Sequence, residues 1–345
     1  MGAARLQWRH GVGGTYDTWK VNDSAPRLPS IQLEFTDPTL LGMTLKEPVA
    51  SELIAACTAL LAQVAVEPDR CRLIITGDFV ESARQRMEPG PYRDSYGMDR
   101  STGVVGGKTM PMPDGTIDVL LPDILFALDK TPEQHAACAR IAIHTVLHEG
   151  QHVAMTQAGE TDPELSDLPR GRMNLEAVAD QVIQEYRAER AIDHSVSADN
   201  EWDLPGVLEH WHAALVRVAS VEYQEHLDVE RLWYGIVEET HTAWKLLAYL
   251  AARIPDGVSP KRAISDDVRK SRLWRVMVKP HWRRFVETLG QVPPGNIRTN
   301  RTALDAVQRV LADEFDAWLL TLGFEGVDDT DGFAFYIRDW SLLEM

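Results

Sequence analysis

The alternation of apolar and polar residues changes along the chain and predicts a mixed α+β fold. Runs with strand period at 31–35 and 71–76 flank a helical stretch, rich in Ala and Leu, at 50–64. Two more strand-like runs, at 102–110 and 116–121, are separated by the turn sequence PMPDG and predict a hairpin. The first third of the chain therefore predicts a small sheet with a helix packed on it.

A strong helix start follows this region. Thr131 can cap the free amides, Pro132 suits the first helical position, and Gln134 completes a capping box. We expect this helix to run to about residue 158.

The rest of the chain is predicted to be mostly helical. Residues 174–192 carry an apolar stripe at helical spacing. Beyond residue 205 the pattern stays helical, with interruptions at 255–260 and 291–296.

Composition restricts the possible partners. The 345 residues include 35 Lys and Arg against 52 Asp and Glu, and the formal charge of −17 disfavours nucleic acid and anionic membranes. A basic segment at 269–284 is the exception, and we interpret it as an amphipathic helix whose cations pair with the protein's own acidic surface. Binding of a phosphate, an acidic peptide or single-stranded nucleic acid is its alternative. No apolar run has the length of a membrane span, and three cysteines without CxxC spacing favour a cytoplasmic location.

The motif that carries chemistry is HEGQH at residues 148–152, inside the well-capped helix. His148 and His152, at i and i+4, project from one helical face, where their imidazoles can share one metal ion. Glu149 lies at the edge of that face, within reach of a water molecule on the metal. The spacing predicts a metal site with a carboxylate base beside it.

A second helix offers the third ligand. Glu176 follows His152 by 24 residues, and Asp180 lies one turn later, where it can hydrogen-bond the outer nitrogen of a ligand histidine. Two nitrogens and one carboxylate leave an open position, which is typical of a catalytic zinc site. Glu185 and Glu189 are the competing candidates, on the opposite side of the same helix, so only one pair can face the metal. Glu176 is favoured because only its pair ends in Asp.

HEGQH followed by EAVAD resembles the gluzincin class of zinc metallopeptidases, whose signature is HExxH on one helix and ExxxD on a later one. The resemblance covers residues 102–190. It implies a zincin-like catalytic region in which a small sheet packs on the active-site helix. The implied roles are zinc ligation by His148, His152 and Glu176, general acid–base catalysis by Glu149, and orientation of a ligand histidine by Asp180.

The resemblance also implies a His or Tyr that stabilises the oxyanion, and His241 and Tyr234 are the candidates. We expect an irregular N-terminal arm at 1–30, a zincin-like metal-binding domain at 31–200 and a helical C-terminal region at 201–345.

The leading hypothesis is a zinc-dependent metallopeptidase that acts on a peptide or protein. Two alternatives remain open. The same ligands suit Fe²⁺, which would give a non-haem iron oxygenase or hydroxylase. A zincin scaffold can also serve as a non-catalytic sensor or binding module. The oligomeric state is left open.

Overall fold

The computed structural model describes most of the chain. The described residues are 27–37, 41, 49–90, 93–94, 96–97, 99–100, 103–104, 106–194, 203–330 and 332–345. The arm predicted at 1–30 lies outside the described residues except for positions 27–30.

Strands and helices are both present, which confirms the mixed α+β class. The strands are β1 (Ser30–Glu34), β2 (Cys71–Thr76), β3 (Asp99–Arg100), β4 (Gly103–Val104), β5 (Lys108–Pro111), β6 (Ile117–Pro122), β7 (Phe324–Asp329) and β8 (Gly332–Ile337). The α-helices are α1 (Val49–Val64), α2 (Phe79–Arg84), α3 (Pro132–Gln157), α4 (Arg170–Arg190), α5 (Leu204–Val216), α6 (Tyr223–His226), α7 (Val229–Ala252), α8 (Asp266–Lys270), α9 (Lys279–Leu289) and α10 (Arg301–Thr321). Among the described residues, no helix combines the length and apolarity needed to cross a bilayer.

The main sheet has the strand order β1-β2-β6-β5. β1, β2 and β6 are parallel, whereas β5 pairs antiparallel with β6 and lies at the edge. The predicted hairpin is therefore present as β5 and β6, although its first strand begins only at Lys108. The shorter strand β4 pairs with β3 instead.

Both faces of the sheet are covered, as the buried run in β2 indicates. Leu73 and Ile75 face the core formed with α1 and α3, whereas Ile74 faces the opposite side, with Phe79 of α2.

Helix α3 carries the HEGQH motif, and it begins as predicted. The Thr131 side chain accepts a hydrogen bond from the Gln134 amide, and the Gln134 side chain accepts one from the Thr131 amide, so the capping box is complete. Val146 and Val153 are buried in the core shared with the sheet and α1. The motif therefore lies on a helix held firmly against the sheet.

Helix α4 belongs to a second hydrophobic core. Its apolar stripe packs with residues of α5, α7, α9 and α10, and Trp244 stacks on Phe315 with ring centroids 3.7 Å apart at the centre of this core. The residues that α4 contributes are Leu175, Val178, Ala179, Val182, Ile183 and Tyr186. The domain boundary at residue 200 stays a prediction, but the apolar side of α4 packs with the C-terminal helices.

A β-hairpin follows α10 in a region that was predicted to be mostly helical and in which no strand was expected. The helix ends at Thr321, and Gly323, two residues later, has a φ of 94° in the left-handed region that favours glycine. Phe333 and Phe335 of β8 then pack on Trp233, with ring centroids 5.1 and 5.5 Å apart. This tertiary contact favours the strand and is not visible in the local pattern.

The basic segment is helical, with a π-helical turn at Trp274–Val278 that leads into α9. Trp274 and Trp282 are buried against each other, so neither indole is exposed for base stacking. Arg284 pairs with Glu314 at 2.7 Å. These contacts agree with the interpretation of an amphipathic helix.

Candidate metal centre

Three side chains from α3 and α4 converge on one point. His148 Nε2 lies 3.0 Å from Glu185 Oε2 and 3.2 Å from His152 Nε2. The third side of the triangle, from His152 Nε2 to Glu185 Oε2, is 3.6 Å. Two nitrogens and one carboxylate oxygen thus point at a common position.

This triangle fits a small metal ion. A tetrahedral zinc ion with bonds of about 2.0–2.1 Å places neighbouring ligand atoms about 3.3 Å apart, and the three separations here are 3.0, 3.2 and 3.6 Å. Two imidazoles and one carboxylate also form a donor set that zinc and Fe²⁺ both accept. The residues present therefore fit the metal that the motif implies.

Glu189, one turn after Glu185 on α4, contacts the ring nitrogen of His148 that faces away from the triangle. Its Oε2 lies 3.3 Å from His148 Nδ1. Because a carboxylate can only accept, the proton lies on Nδ1, and this tautomer leaves the Nε2 lone pair for a metal. Glu185 and Glu189 thus have the positions relative to His148 that were expected of Glu176 and Asp180.

A second group of potential ligands shares His148. His144 Nε2 lies 3.3 Å from Glu189 Oε2, and Arg253 Nη2 lies 2.8 Å from Glu189 Oε1. The Arg253 guanidinium already supplies a cation to Glu189, and His148 must keep its Nδ1 proton while Nε2 binds a metal. We therefore interpret His144 and Glu189 as residues that hold His148 in position, and not as a second metal site.

Helix α7 holds the Glu185 carboxylate in place. Lys245 Nζ lies 2.7 Å from Oε1, and the Tyr249 hydroxyl donates to Oε2. Burial alone would raise the pKa of Glu185, but Lys245 and the two histidines hold it well below its usual range. Burial and the Glu185 charge raise the pKa of Tyr249 well above its usual value, so its hydroxyl stays protonated.

The electrostatics of His148 show what the site favours. Burial alone lowers its pKa, but hydrogen bonds to Glu185 and Glu189 outweigh burial and raise the pKa to about 10. Both ring nitrogens face carboxylates, which favours a proton on each, and a metal at Nε2 would replace the proton there while the one on Nδ1 stays. The site is organised around a positive charge, which a proton or a metal ion can supply.

Glu149 follows His148 on α3 and contacts the edge strand β5. The Thr109 hydroxyl lies 2.8 Å from Glu149 Oε2 and 3.0 Å from the Glu149 main-chain oxygen. The carboxylate is buried beside the candidate ligands but is not one of them.

The structure does not bring Glu176 and Asp180 to the histidines, which corrects the favoured sequence assignment. Glu176 accepts hydrogen bonds from Arg172 at 2.9 Å and from Gln308 at 3.1 Å. Asp180 pairs with Arg301 at 2.6 Å. Both acids fasten α4 to α10, because nine residues of helix place them half a turn away from Glu185 and Glu189.

The two candidates for the oxyanion donor have different positions. Tyr234 is 41% exposed and accepts hydrogen bonds from Arg170. It precedes Tyr249 on α7 by 15 residues, which corresponds to about 22 Å along the helix axis. His241 is buried one turn from Lys245, within electrostatic reach of Glu185, and burial lowers its pKa.

Sequence reasoning missed three residues of the site, namely Thr109, Lys245 and Tyr249. Two signals could have helped. Lys245 and Tyr249 continue the i, i+4 spacing that begins at His241. Arg172, four residues before Glu176, offers that acid a local partner, whereas the residue four before Glu185 is the neutral Gln181.

Comparison of the chain with known protein families, with curated proteins and with solved structures finds no match. The geometry of the site is therefore what indicates a metal centre.

Proposed function

We propose that the protein is a zinc-dependent peptidase of the gluzincin type, with His148, His152 and Glu185 as metal ligands. The observation that carries this proposal is the triangle of ligand atoms with sides of 3.0, 3.2 and 3.6 Å. A carboxylate that is not a ligand, Glu149, lies next to it on the same helix. The pair Glu185 and Glu189 replaces the ExxxD signature with ExxxE.

The chain's own residues supply the acid–base chemistry. A bound Zn²⁺ would polarise the scissile carbonyl and lower the pKa of a water molecule there. Glu149 accepts a proton from that water at its carboxylate and delivers it to the leaving amine. Glu189 keeps the His148 ring in the tautomer that binds metal.

Tyr249 is the residue that we assign to the oxyanion. Its protonated hydroxyl lies against Glu185 Oε2, at the centre of the site. A hydroxyl has one proton, so to stabilise the negative charge that develops on the carbonyl oxygen it would turn from Glu185 Oε2 and donate to that oxygen instead. His241 lies farther back on the same side of α7 and, being neutral, is the weaker donor.

The edge strand β5 favours an extended peptide as substrate. β5 ends the strand order of the main sheet, so among the described strands its outer side has no partner. A peptide can add to such an edge through main-chain hydrogen bonds. Thr109 on this strand contacts Glu149, so a peptide bound there would pass the base.

Glu149 also favours hydrolysis over the oxygenase alternative. The two histidines and Glu185 suit Fe²⁺ as well as zinc. Hydrolysis, however, needs a proton acceptor beside the attacking water. Glu149 can serve as that acceptor because its carboxylate is not one of the metal ligands. Metal analysis and oxygen dependence separate the two functions: turnover that requires oxygen and iron would exclude the peptidase.

The test compares matched glutamates. We expect Glu185→Ala to lose zinc, measured by mass spectrometry of the dialysed protein, and Glu176→Ala to retain it. We expect Glu149→Gln to retain zinc and lose cleavage of a proteome-derived peptide library, read by mass spectrometry. Full cleavage by Glu149→Gln, or loss of zinc from Glu176→Ala alone, would contradict the proposal. A biological effect that survives Glu149→Gln would favour the non-catalytic module.

A further inference from the structure

Thr109 on the edge strand β5 contacts Glu149 at both its main chain and its side chain. The Thr109 hydroxyl lies 3.0 Å from the Glu149 main-chain oxygen and 2.8 Å from its Oε2. One hydroxyl thus contacts both the helix backbone and the carboxylate of the same residue. This pair of contacts fixes where the carboxylate lies relative to α3.

Gly107, just before β5, also lies against the Glu149 side chain. A Cβ at this position would lie 3.1 Å from Glu149 Cγ and 3.3 Å from Oε1. The bare backbone therefore packs directly on the side chain. Glu149 is held between the Thr109 hydroxyl and the main chain at Gly107.

We propose that Thr109 is a positioning residue for Glu149, and that the strand binding the peptide also sets the rotamer of the base. This inference rests on the proposed function, because a base needs a defined position only if Glu149 accepts a proton. A general base must lie within hydrogen-bond reach of the proton that it takes. The 9% exposure of Glu149 shows that the carboxylate is already confined.

The chemistry of a hydroxyl suits both stages of the reaction. Thr109 carries one proton and two acceptor lone pairs. While Glu149 is a carboxylate, the hydroxyl donates to Oε2. Once Glu149 has taken the proton from water on the oxygen that Thr109 does not contact, Oε2 is the carbonyl oxygen of the carboxyl group and still accepts the hydrogen bond from Thr109. No proton is gained or lost by Thr109, and the position of Glu149 is preserved.

The experiment compares Thr109→Val, which keeps the shape and removes the hydroxyl, with Thr109→Ser, which keeps the hydroxyl. We expect Thr109→Val to lower kcat about 10- to 100-fold, the effect of one hydrogen bond to a charged group. KM and zinc affinity should stay within about twofold, because neither the ligands nor the strand backbone changes. Thr109→Ser should recover most of kcat. If Thr109→Val does not fold, Thr109→Ala takes its place.

Crystal structures of the wild type and both variants give a readout independent of turnover. We expect the Glu149 carboxylate to move in Thr109→Val and to keep its place in Thr109→Ser. An unchanged carboxylate, or a Thr109→Val enzyme with the wild-type kcat, overturns the inference. If the wild-type protein cleaves no peptide, the proposed function fails, and the position of Glu149 in the variants still decides whether Thr109 sets it.

Discussion

Replacing Gly107 by Ala tests how closely β5 packs against the site. The new Cβ would lie 2.4 Å from Thr145 Cγ2 and 3.1 Å from Glu149 Cγ. Carbon atoms in contact are about 3.5 Å apart or more, so Thr145 and the strand must separate by about 1.1 Å. Thr145 is buried and cannot swing into solvent. The strand or Glu149 must therefore move.

Two consequences follow from a shift of this size. Overpacking of this kind lowers the free energy of unfolding by about 1–3 kcal/mol. A misplacement of about 1 Å in a catalytic group costs about 100-fold in rate. We expect Gly107→Ala to retain zinc, to unfold at lower denaturant concentration and to lose about 100-fold in kcat/KM.

The neighbouring glycine is the matched control. Among the described residues, the atom nearest to a Cβ at Gly106 would be Thr145 Oγ1 at 3.7 Å, which is an ordinary contact. Gly106→Ala should therefore change the unfolding free energy by less than about 0.5 kcal/mol and leave kcat/KM unchanged. The assays are denaturant unfolding and peptide cleavage. Wild-type activity in Gly107→Ala, or equal losses in both variants, would refute the packing argument.

Four other substitutions separate the roles of the acids and the tyrosines. Glu189→Gln keeps the shape but removes the charge behind His148, so zinc affinity in a chelator competition should fall about 10- to 100-fold; an unchanged affinity would remove Glu189 from the site. Tyr249→Phe should lower kcat about 100-fold with zinc retained, whereas Tyr234→Phe, on the exposed part of α7, should cleave like the wild type. Arg301→Met leaves the buried Asp180 without its cation and should cost about 3 kcal/mol of unfolding free energy; a variant as stable as the wild type would count against a structural role for this pair.

The features that local rules control could be predicted from the sequence. The start of α3 needs only the side chains of Thr131 and Gln134, which contact backbone three residues away. The convergence of His148 and His152 needs only helical geometry, because residues four apart share a face. The fold class followed from the same kind of local period.

The choice of the third ligand could not be predicted in this way. Two carboxylate pairs lie nine residues apart on α4, and the helix itself treats them alike. The partners of Glu176 and Asp180 include Gln308 and Arg301, more than 120 residues away in sequence. Only the packing of α4 against α10 decides which pair turns towards α3. The ExxxD pattern that favoured Glu176 is a family signature, and it carries no information about how α4 packs against α10.

The hairpin β7–β8 and the hydroxyl of Tyr249 were missed for the same reason. The aromatic residues of β8 form a strand because Trp233 offers them a surface. Tyr249 belongs to the site because α7 packs along α4. Neither contact affects the local spacing of apolar and polar residues, so neither could be predicted from it.

The candidate site joins two separately packed cores. His148 and His152 come from a helix that packs on the sheet, whereas Glu185 comes from a helix whose apolar stripe lies among the C-terminal helices. A metal held by all three would act as a cross-link whose binding energy is shared between two cooperative units. We expect zinc to merge their unfolding into a single transition, and a chelator to separate it into two. The concentration of free zinc would then determine how resistant the chain is to digestion by other proteases, as well as whether it can cleave peptides itself.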